Sequence, residues 1–405
     1  MEVKLGDICT FQSGGTPSKG NAEFFNGTIP WITTVALNGG SIGIQDAVDW
    51  ITDEAIAKSA AKVVPANSIM VGTRVGVGKV AINDVEMSTS QDIISLLNID
   101  ENRWDKTYLC KFLQGKSAYL NSRARGATIK GIKIDVLAGL SLEEIPVTEQ
   151  KKIAEIIDKV NRIIVARRQE LQKLDELIKA RFVEMFGDPE NNPRGWDTRT
   201  IGDVITKIEA GWSGNGIQRE KAEGEIAVLK VSAVTKGYFV PRECKVLDDQ
   251  DNIKKMVCPE NGDLIFSRAN TRELVGATAI IDKDYPEYIL SDKLWKIQFN
   301  DLVNVYYMKA VLSSTSIRSK FSESSTGTSG SMFNVSMEKF KSIRIPIAPI
   351  EFQNQYRDFV CAIDKSKFDG MAWQRWLFSV GMKSAGGNNP CGAKEQDKDE
   401  FGRKK

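Results

Sequence analysis

An internal repeat constrains this chain more than any other feature of its sequence. Five segments of the first half return in the second half, in the same order and at offsets between about 194 and 203 residues. The matching pairs are LGDI from Leu5 with IGDV from Ile201, IPWITTVALNGG from Ile29 with IAVLKVSAVTKG from Ile226, PANSIMVGTR from Pro65 with PENGDLIFSR from Pro259, SQDI from Ser90 with LSDK from Leu290, and EIPVTEQ from Glu144 with IAPIEFQ from Ile347. Matches in constant order indicate a duplicated domain.

The residue pattern inside each copy predicts a fold that contains both strands and helices. Short apolar and β-branched runs alternate with Gly, Asn, Asp and Pro, which is typical of strands and turns. Residues 105–122 and 304–321 show apolar spacing near 3.6 and predict helices. Each copy is therefore expected to be an α+β domain with a largely antiparallel sheet. The alignment places residues of the same type together: Arg74 with Arg268, Gly78 with Gly276, Asp92 with Asp292, and Gln150 with Gln353.

A long helix is predicted between the copies. Residues 149–186 contain no Gly or Pro, and their apolar residues recur every seven positions with Arg167 and Arg181 as interruptions. A second apolar stripe after the second copy predicts a partner helix, so the two helices are expected to form an antiparallel coiled coil; an amphipathic helix lying on its own domain is the alternative. The predicted interface residues are Ile157, Val160, Ile164, Leu171, Leu174, Ile178, Phe359 and Ile363.

The expected organisation is two repeated β-rich domains separated by long helices. It runs from a first domain (1–148) through a central helix (149–187) and a second domain (196–350) to a second helix (351–385) and a polar tail (386–405), which is expected to be disordered. Gly370 and Gly381 interrupt the apolar pattern after Lys367. The second helix is therefore expected to be shortened or replaced there, because glycine is a poor helix former.

Composition excludes several classes of protein. The absence of histidine excludes a Ser–His or Cys–His hydrolase and a histidine-based metalloenzyme. The six cysteines form no C-x-x-C pair, so buried reduced thiols are favoured and no metal site is expected. The net charge of +2 still permits a local basic face. No apolar run approaches the roughly 20 residues that span a bilayer, and the N-terminus lacks a signal-peptide pattern, so a cytoplasmic location without membrane contact is expected.

The glycine-rich stretch VGTRVGVGKV from Val71 looks like a phosphate-binding loop at first sight. The Walker pattern needs a Gly and a Ser or Thr where this stretch has Thr73 and Val80. A dinucleotide fingerprint can be forced onto it, but the residues that follow predict a strand and turn instead of a helix. The repeat favours a third interpretation, a hairpin tip that keeps an arginine and varies in length between the copies.

Motifs for DNA chemistry are missing from the sequence. Adenine methylation needs a cofactor glycine loop and an N-P-P-Y or D-P-P-Y type motif, and neither is present. A nuclease needs metal-binding carboxylates beside a lysine. Asp292 with Lys293 and Lys296 fits that pattern in the second copy, but Asp92 has no such neighbours in the first. No catalytic residue is therefore assigned.

Basic, amide and hydroxyl residues recur on the predicted loops of both copies. Arg and Asn make bidentate contacts with guanine and adenine edges, whereas Lys and hydroxyl groups mostly hold phosphates. A solvated surface charge is the alternative for any single residue, but clusters at matching points favour double-stranded DNA as the partner. The candidate DNA-binding residues are Arg74, Lys79, Arg123, Arg125, Lys130, Arg268, Asn270, Arg272, Arg318 and Lys320.

With these segments in this order, the chain resembles the specificity subunit of type I restriction–modification systems. The resemblance covers residues 3–367. It rests on LGDI, the IPW strand, GTRVGVGKVAI, GATIKGI, EQKKIAEIID at the start of the central helix and MFGDP at its end, with weaker versions in the second copy.

The resemblance implies a non-catalytic DNA reader. Each domain would read one half of a split, asymmetric site, and the helices would dock two methylation subunits. It implies no cofactor in this chain; partner methylation and restriction subunits would use S-adenosylmethionine, ATP and Mg. Two alternatives stay open: a fused subunit that cleaves or methylates DNA itself, and a non-enzymatic scaffold or carbohydrate-binding protein of duplicated β-rich domains.

Overall fold

The computed structural model describes residues 2–126, 129–323 and 333–385, and side chains for all of these except 322–323 and 368–385. The chain divides into two compact units between Val165 and Ala166, inside one long helix. The polar tail predicted at 386–405 lies outside the described residues.

Two sheets and a strand pair build the first unit. A five-stranded sheet has the order Thr10–Ser13, Ile93–Leu97, Ile69–Gly72, Val80–Asn83 and Ser41–Ile42. A four-stranded sheet has the order Asp49–Ile51, Ile29–Ile32, Met87–Thr89 and Val63–Val64. Glu2–Lys4 pairs with Ser141–Glu143. Two of the pairings are parallel, namely Ile29–Ile32 with Met87–Thr89 and Ser41–Ile42 with Val80–Asn83, and the others are antiparallel.

Short helices complete the first unit. The α-helices are Asp53–Lys58, Lys106–Gly115, Ser117–Arg123 and Ile134–Ala138, and the 3-10 helices are Leu5–Asp7, Ala22–Phe25 and Ile44–Asp46. The apolar face predicted in this region is buried, because Leu109 and Leu113 pack in one core with Ile69 and Val71 of the central strand.

The second unit repeats this plan. Its antiparallel four-stranded sheet has the order Ile205–Ala210, Leu294–Phe299, Leu264–Ser267 and Thr278–Ile280. A second four-stranded sheet has the order Gly216–Ile217, Cys244–Leu247, Ala227–Leu229 and Tyr288–Leu290, of which the last pair is parallel. Two further strand pairs are Asp197–Thr200 with Arg344–Ile347 and Ala269–Asn270 with Phe333–Asn334.

The helices of the second unit correspond in part to those of the first. They are the α-helices Ile201–Val204, Val305–Ser313, Thr315–Glu323 and Met337–Ser342 and the 3-10 helix Val231–Ala233. Both predicted helical stretches are confirmed, but each is broken into two helices, at Lys116 and at Ser314. Gly115 weakens the first, and the Ser314 hydroxyl accepts a hydrogen bond from the Ile317 amide (3.4 Å), which starts a new helix in the second.

The central helix runs over 40 residues, Val147–Phe186, or about 60 Å at the usual rise per residue. Its exposure follows the predicted heptad, since the seam positions are half-buried and most positions between them are exposed. The half-buried seam positions are Ile157, Val160, Ile164, Arg167, Leu171, Leu174, Ile178 and Arg181. A narrow stripe of this kind is typical of a coiled-coil seam.

The C-terminal helix, Ile350–Ala385, packs antiparallel to the part of the central helix that belongs to the second unit. Near its start, the ring of Tyr356 packs against the rings of Phe182 and Phe186, with ring centres 5.5 and 5.8 Å apart. Further along, the Lys367 ammonium lies 2.6 Å from Asp175. Residues that lie later in one helix therefore meet residues that lie earlier in the other, as the predicted antiparallel coiled coil requires.

The prediction that this second helix is cut short is wrong for its backbone. It continues through Gly370 and Gly381 and measures 36 residues against 40 for the central helix. Two isolated glycines cost a helix about 1 kcal/mol each relative to alanine, which weakens it without ending it.

Two buried glutamines give the clearest structural sign of the duplication. Gln150 accepts a hydrogen bond from the Asp105 amide (2.9 Å) and donates to the Arg103 and Ile145 carbonyls (both 2.8 Å). Gln353 makes the equivalent set in the second unit, accepting from Asn304 and donating to Leu302 and Ala348. Both side chains are fully buried, and each ties the start of a long helix to the N-cap of a domain helix.

Candidate nucleic-acid interface

The glycine-rich stretch forms a hairpin loop. Strands Ile69–Gly72 and Val80–Asn83 pair antiparallel, and residues 73–79, here called the first hairpin loop, join them. The Gly72 amide donates to the Lys79 carbonyl (2.8 Å) and the Gly78 amide to the Gly72 carbonyl (2.9 Å), which closes the loop at its neck. Gly78 has φ of +77°, a conformation that favours glycine. A strand follows the loop, as the hairpin interpretation predicts and a nucleotide-binding loop does not.

The second unit builds the same loop with a longer tip. Residues 268–277, here called the second hairpin loop, join strands Leu264–Ser267 and Thr278–Ile280. Its neck carries the same two hydrogen bonds, from Ser267 to the Ala277 carbonyl and from Gly276 to the Ser267 carbonyl (both 2.8 Å). Gly276 has φ of +81°, so its predicted match with Gly78 is confirmed.

The strand register shifts the arginine alignment by one residue. The last residue of each hairpin's first strand faces the same position of the neighbouring strand, as the pairs Gly72–Ile93 and Ser267–Leu294. Arg268 is therefore equivalent to Thr73, not to Arg74, and by the same count Asp292 is equivalent to Gln91. The sequence match of Arg74 with Arg268 and of Asp92 with Asp292 is wrong by one position.

Each hairpin arginine nevertheless faces an aspartate that lies just before the neighbouring strand. The closest guanidinium–carboxylate distance is 4.0 Å for Arg74 and Asp92 and 3.9 Å for Arg268 and Asp292. The side chains of Arg74 and Arg268 are 57% and 31% exposed. Long, solvent-screened pairs of this kind contribute at most about 1 kcal/mol, so they orient the guanidinium groups without removing them from solvent.

A second loop lies against each hairpin loop. In the first unit, Arg125 and Gly131 exchange two backbone hydrogen bonds (both 2.9 Å), and the Ile132 amide donates to the Thr73 carbonyl (2.8 Å). Gly131 lies so close to Arg74 that a Cβ there would stand 3.0 Å from its Cγ. In the second unit, the Val335 amide donates to the Arg268 carbonyl (2.9 Å), which is the equivalent contact. Residues 127–128 and 324–332 of these second loops lie outside the described residues.

A short helix also contacts each hairpin loop. From Ser117–Arg123, the Asn121 side-chain amide donates to the Val77 carbonyl (2.8 Å). From Thr315–Glu323, the Arg318 guanidinium donates to the carbonyls of Glu273 (2.6 Å) and Val275 (3.2 Å). The sequence places Asn121 among the polar residues of the predicted DNA-binding set, whereas the structure gives it a contact with the hairpin loop of its own domain. The signal that could have revealed this contact is the distance along the chain from Gly78 to Asn121, which is within one residue of that from Gly276 to Arg318.

Four of the predicted DNA contacts of the first unit come together on its two touching loops, and all four are exposed: Arg74, Lys79, Arg125 and Lys130. Arg123 is also exposed, on the adjoining helix, with its guanidinium 5.1 Å from the centre of the Tyr119 ring. In the second unit, Arg268 and the exposed Arg272 share the hairpin loop.

Three other predicted DNA contacts of the second unit are less exposed to solvent than expected. Asn270 is only 8% exposed, because its strand pairs with Phe333–Asn334. Its side-chain nitrogen donates to the Ser267 hydroxyl (3.4 Å), and its side-chain oxygen accepts from the Thr271 backbone amide (2.9 Å). Its expected place on the surface is therefore wrong. Arg318 is half-buried, and burial lowers the pKa of its guanidinium from the usual value. Lys320 is half-buried and lies 3.3 Å from Glu190.

The residues considered for nuclease chemistry do not form a metal site. Lys296 is 5% exposed and lies 2.7 Å from Glu260 and 3.0 Å from Asp263. Burial alone would lower the pKa of Lys296, but its hydrogen bonds to both carboxylates raise it overall. Asp292 accepts instead from the Ser213 hydroxyl (2.5 Å). In the part of the chain that the structure describes, no group of three or more acidic or cysteine side chains is placed to hold a metal ion.

Among the residues with a described conformation, no helix combines the length and the apolar character that a bilayer crossing requires.

The fold and the loops define a duplicated α+β chain in which each domain carries arginine residues on an equivalent hairpin loop. The chain belongs to the family described as the type I restriction modification DNA specificity domain, whose model matches residues 1–176 and 193–372.

Curated relatives share part of this chain. It is 27% identical over 255 residues to the specificity subunit of type I restriction enzyme MjaIX of Methanocaldococcus jannaschii, covering 58% of each protein. It is 28% identical over 183 residues to the EcoR124I/EcoR124II specificity subunit of Escherichia coli, covering 44% of this chain and 45% of that one. The matched stretches thus span about half of these relatives' own lengths.

Solved structures share the fold over nearly the whole chain. The S subunit of a type I restriction–modification system from M. genitalium superposes with a TM-score of 0.53 at 14% identity, covering 94% of this chain and 93% of that one. A chain from a structural study of complex assembly and conformational transition in the type I system superposes with a TM-score of 0.52 at 15% identity, covering 95% and 94%. The predicted fold class is thereby confirmed.

Proposed function

We propose that this chain is the sequence-specific DNA-binding subunit of a type I restriction–modification complex. Each α+β domain reads one half of a bipartite, asymmetric site in double-stranded DNA. The observation that carries this proposal is the recurrence of one exposed basic loop arrangement at the same topological position of both domains. Loops tied at the neck to a buried sheet lose little conformational freedom on binding, which favours sequence reading.

The basic side chains of the hairpin loops and the loops beside them divide by chemistry. Arg74 and Arg125 in the first domain, and Arg268 and Arg272 in the second, carry planar guanidinium groups that suit guanine edges in the major groove. Lys79 and Lys130 suit phosphates, which fix the register of a protein on the duplex. Membership in the family of the specificity domain supports DNA over the carbohydrate-binding alternative.

In this proposal, partner subunits catalyse the methylation and cleavage of DNA. The chain itself holds no cofactor and no catalytic residue, and it directs adenine methylation or cleavage by two methylation subunits and by restriction subunits that use S-adenosylmethionine, ATP and Mg²⁺. Apolar side chains on the central helix offer a docking surface outside the heptad seam, since Ile156, Ile163 and Leu177 are 61%, 49% and 46% exposed. The similar fold in a study of type I complex assembly supports this role.

The decisive experiment is adenine methylation of random DNA by the chain assembled with its methylation subunits, with the modified sites mapped. We expect one motif made of two separated half-sites. A single continuous motif, or methylation without sequence preference, would contradict the proposal. A glycan-binding screen of the same protein separates the carbohydrate-binding alternative, for which we expect no ligand.

Arginine substitutions locate the reading surface. We expect Arg74→Ala and Arg268→Ala each to weaken cognate binding by about 1–3 kcal/mol and to relax selectivity in one half-site, if each reads a base. Lys79→Ala should instead weaken binding to all sequences and lower the salt dependence by about one ion. Lys58→Ala is the matched control, because Lys58 pairs with Glu54 on a helix away from the loops (2.6 Å). Unchanged affinity and selectivity would show that the substituted arginine is an ordinary surface charge and does not read a base.

A further inference from the structure

We infer that Asn121 in the first domain and Arg318 in the second are positioning residues, which hold the hairpin loops in the shape that reads DNA. The inference rests on the proposed DNA-binding function and assigns one such residue to each half-site. It gives Arg318 a role other than the direct DNA contact that its charge predicts.

The same contact is made twice with different side chains. An amide in one domain and a guanidinium in the other reach the carbonyl of the valine that precedes the left-handed glycine, Val77 before Gly78 and Val275 before Gly276. Because Asn and Arg share only the ability to donate hydrogen bonds, the shared property is the donor to this carbonyl. A coincidental surface contact has no reason to recur at the equivalent atom of both copies.

The helix that carries each donor also packs directly on the glycine. A Cβ on Gly78 would stand 2.8 Å from the Ser117 hydroxyl, and a Cβ on Gly276 would stand 2.5 Å from the Phe321 ring. The helix therefore fixes the loop from two sides, by close contact at the glycine and by a hydrogen bond at the preceding carbonyl.

The loop carbonyls depend on the side chains of Asn121 and Arg318 for their hydrogen bonds. Among the described residues, no backbone N–H donates to the carbonyls of Val77, Glu273 or Val275, so the hydrogen bonds to them come from Asn121 and Arg318. Arg318 is half-buried, and its Nη2 donates to both carbonyls in the second domain. Its guanidinium group is therefore directed toward the protein. Without its donor, a loop would sample more conformations, and DNA would have to order it on binding.

Substitutions at both positions test the inference in the full chain assembled with its methylation subunits. Asn121→Ala and Asn121→Asp remove the donor in the first domain, and Arg318→Ala removes it in the second. Methylation of DNA substituted singly across the motif then gives the selectivity of each half-site. We expect each variant to lower the ratio of cognate to substituted sites about five- to tenfold, the effect of one or two lost hydrogen bonds. The Asn121 variants should relax one half-site and Arg318→Ala the other.

The salt dependence of binding separates positioning from contact. A lost phosphate contact lowers the slope of log affinity against log salt by about 0.9, whereas a lost loop anchor leaves it unchanged. Arg318→Lys keeps the charge but presents a compact ammonium on a more flexible stem. We expect it to remain relaxed in selectivity, like Arg318→Ala. A slope that falls with Arg318→Ala and returns with Arg318→Lys would overturn the inference in favour of a phosphate contact.

Two control variants remove comparable hydrogen bonds elsewhere. Ser122 donates to the Tyr119 carbonyl on the same helix (2.7 Å), and Arg344 donates to the Thr198 carbonyl at a separate strand pair (3.1 Å). Ser122→Ala and Arg344→Ala should leave selectivity at both half-sites unchanged. Equal relaxation of both halves by any single Asn121 or Arg318 variant would indicate general destabilisation and overturn the inference.

Amide exchange without DNA keeps this inference separable from the proposed function. We expect faster exchange at residues 76–78 in the Asn121 variants and at residues 274–276 in Arg318→Ala, with the sheets unchanged. Unchanged loop exchange would overturn the positioning role even if the chain binds DNA. If the wild-type assembly shows no bipartite motif, the DNA-binding proposal fails while the loop exchange still reports whether the anchors exist.

Discussion

At the scale of single residues, two glycines decide the shape of the hairpin loops. Gly78 and Gly276 have φ of +77° and +81°, and the nearest atoms to an added Cβ belong to the packed helices. Gly78→Ala and Gly276→Ala should therefore lower the free energy of unfolding by about 1–3 kcal/mol each, through backbone strain and overpacking. Urea unfolding measures the loss.

Gly115→Ala is the matched control for these two variants. Gly115 ends the helix Lys106–Gly115, and an added Cβ there meets nothing within 4 Å. Alanine should therefore be neutral or raise the free energy of unfolding by up to about 1 kcal/mol, because it limits the unfolded chain and favours the helix. A loss at Gly115 as large as that at Gly78 would show that the loop geometry is not the cause.

At the scale of elements, the buried glutamines hold the long helices to the domains. Gln150→Ala would leave the Asp105 amide and the Arg103 and Ile145 carbonyls without their partner in a buried place. We expect a loss of about 2–4 kcal/mol in the free energy of unfolding, and a similar loss for Gln353→Ala. Chemical denaturation of each variant provides the measurement.

The exposed Gln172 gives the control for the glutamine prediction. Its side chain donates to Glu176 one turn further along the same helix (3.0 Å). Gln172→Ala should change the free energy of unfolding by less than about 0.5 kcal/mol. Comparable losses at Gln172 and Gln150 would mean that the side chain contributes only to helix propensity.

The elements that sequence could predict are those with a local or repeated signal. The duplication, the α+β class and the heptad helix follow from order, alternation and period, which need no knowledge of tertiary contacts. The register of the hairpins does not follow, because PANSIMVGTR and PENGDLIFSR match best when Arg74 meets Arg268, whereas the pairing of the neighbouring strands sets the equivalence one residue away. A shift of one residue changes which face a side chain takes, and only strand pairing fixes it.

The candidate site could be predicted in outline but not in its contacts. The basic loops carry a compositional signal, so Arg74 and Arg125 could be named from sequence. The burial of Asn270 depends on pairing with Phe333, more than sixty positions later in the chain, which leaves no local trace. The match between Asn121 and Arg318 shows in the sequence only as a similar distance from Gly78 and Gly276, since the two residues differ in type and share only the carbonyl to which they donate.

At the scale of the whole molecule, buried ionisable groups make both units sensitive to alkali. In the first unit, burial raises the pKa of the Cys9 thiol to about 12, and burial also raises that of Cys110, to about 11. In the second unit, burial raises the pKa of the Tyr307 and Tyr356 hydroxyls. Each group is easier to ionise in the unfolded chain, where the ordinary pKa is about 8.5 for Cys and about 10 for Tyr.

The sign of the pH effect follows from these raised values. Above the unfolded pKa the unfolded chain releases its proton while the folded chain keeps it, so stability is complete below that pH and is lost as pH rises toward the folded pKa. Burial also raises the pKa of the Cys244 and Cys258 thiols, so both units should begin to lose stability above about pH 8.5. The tyrosines add a further loss above about pH 10, and each group contributes up to about 1.4 kcal/mol per pH unit. Calorimetric unfolding between pH 7 and 11 measures both losses.

A cysteine variant assigns the lower of these two thresholds. Cys110→Ala removes one thiol and should reduce the loss between pH 8.5 and 10, although the cavity that it leaves lowers stability at pH 7. If Cys110→Ala and the wild type lose stability in parallel from pH 8.5 to 10, the buried thiol is not the group that sets the alkaline limit. The cause would then lie in another buried thiol, such as Cys9, which Cys9→Ala would test.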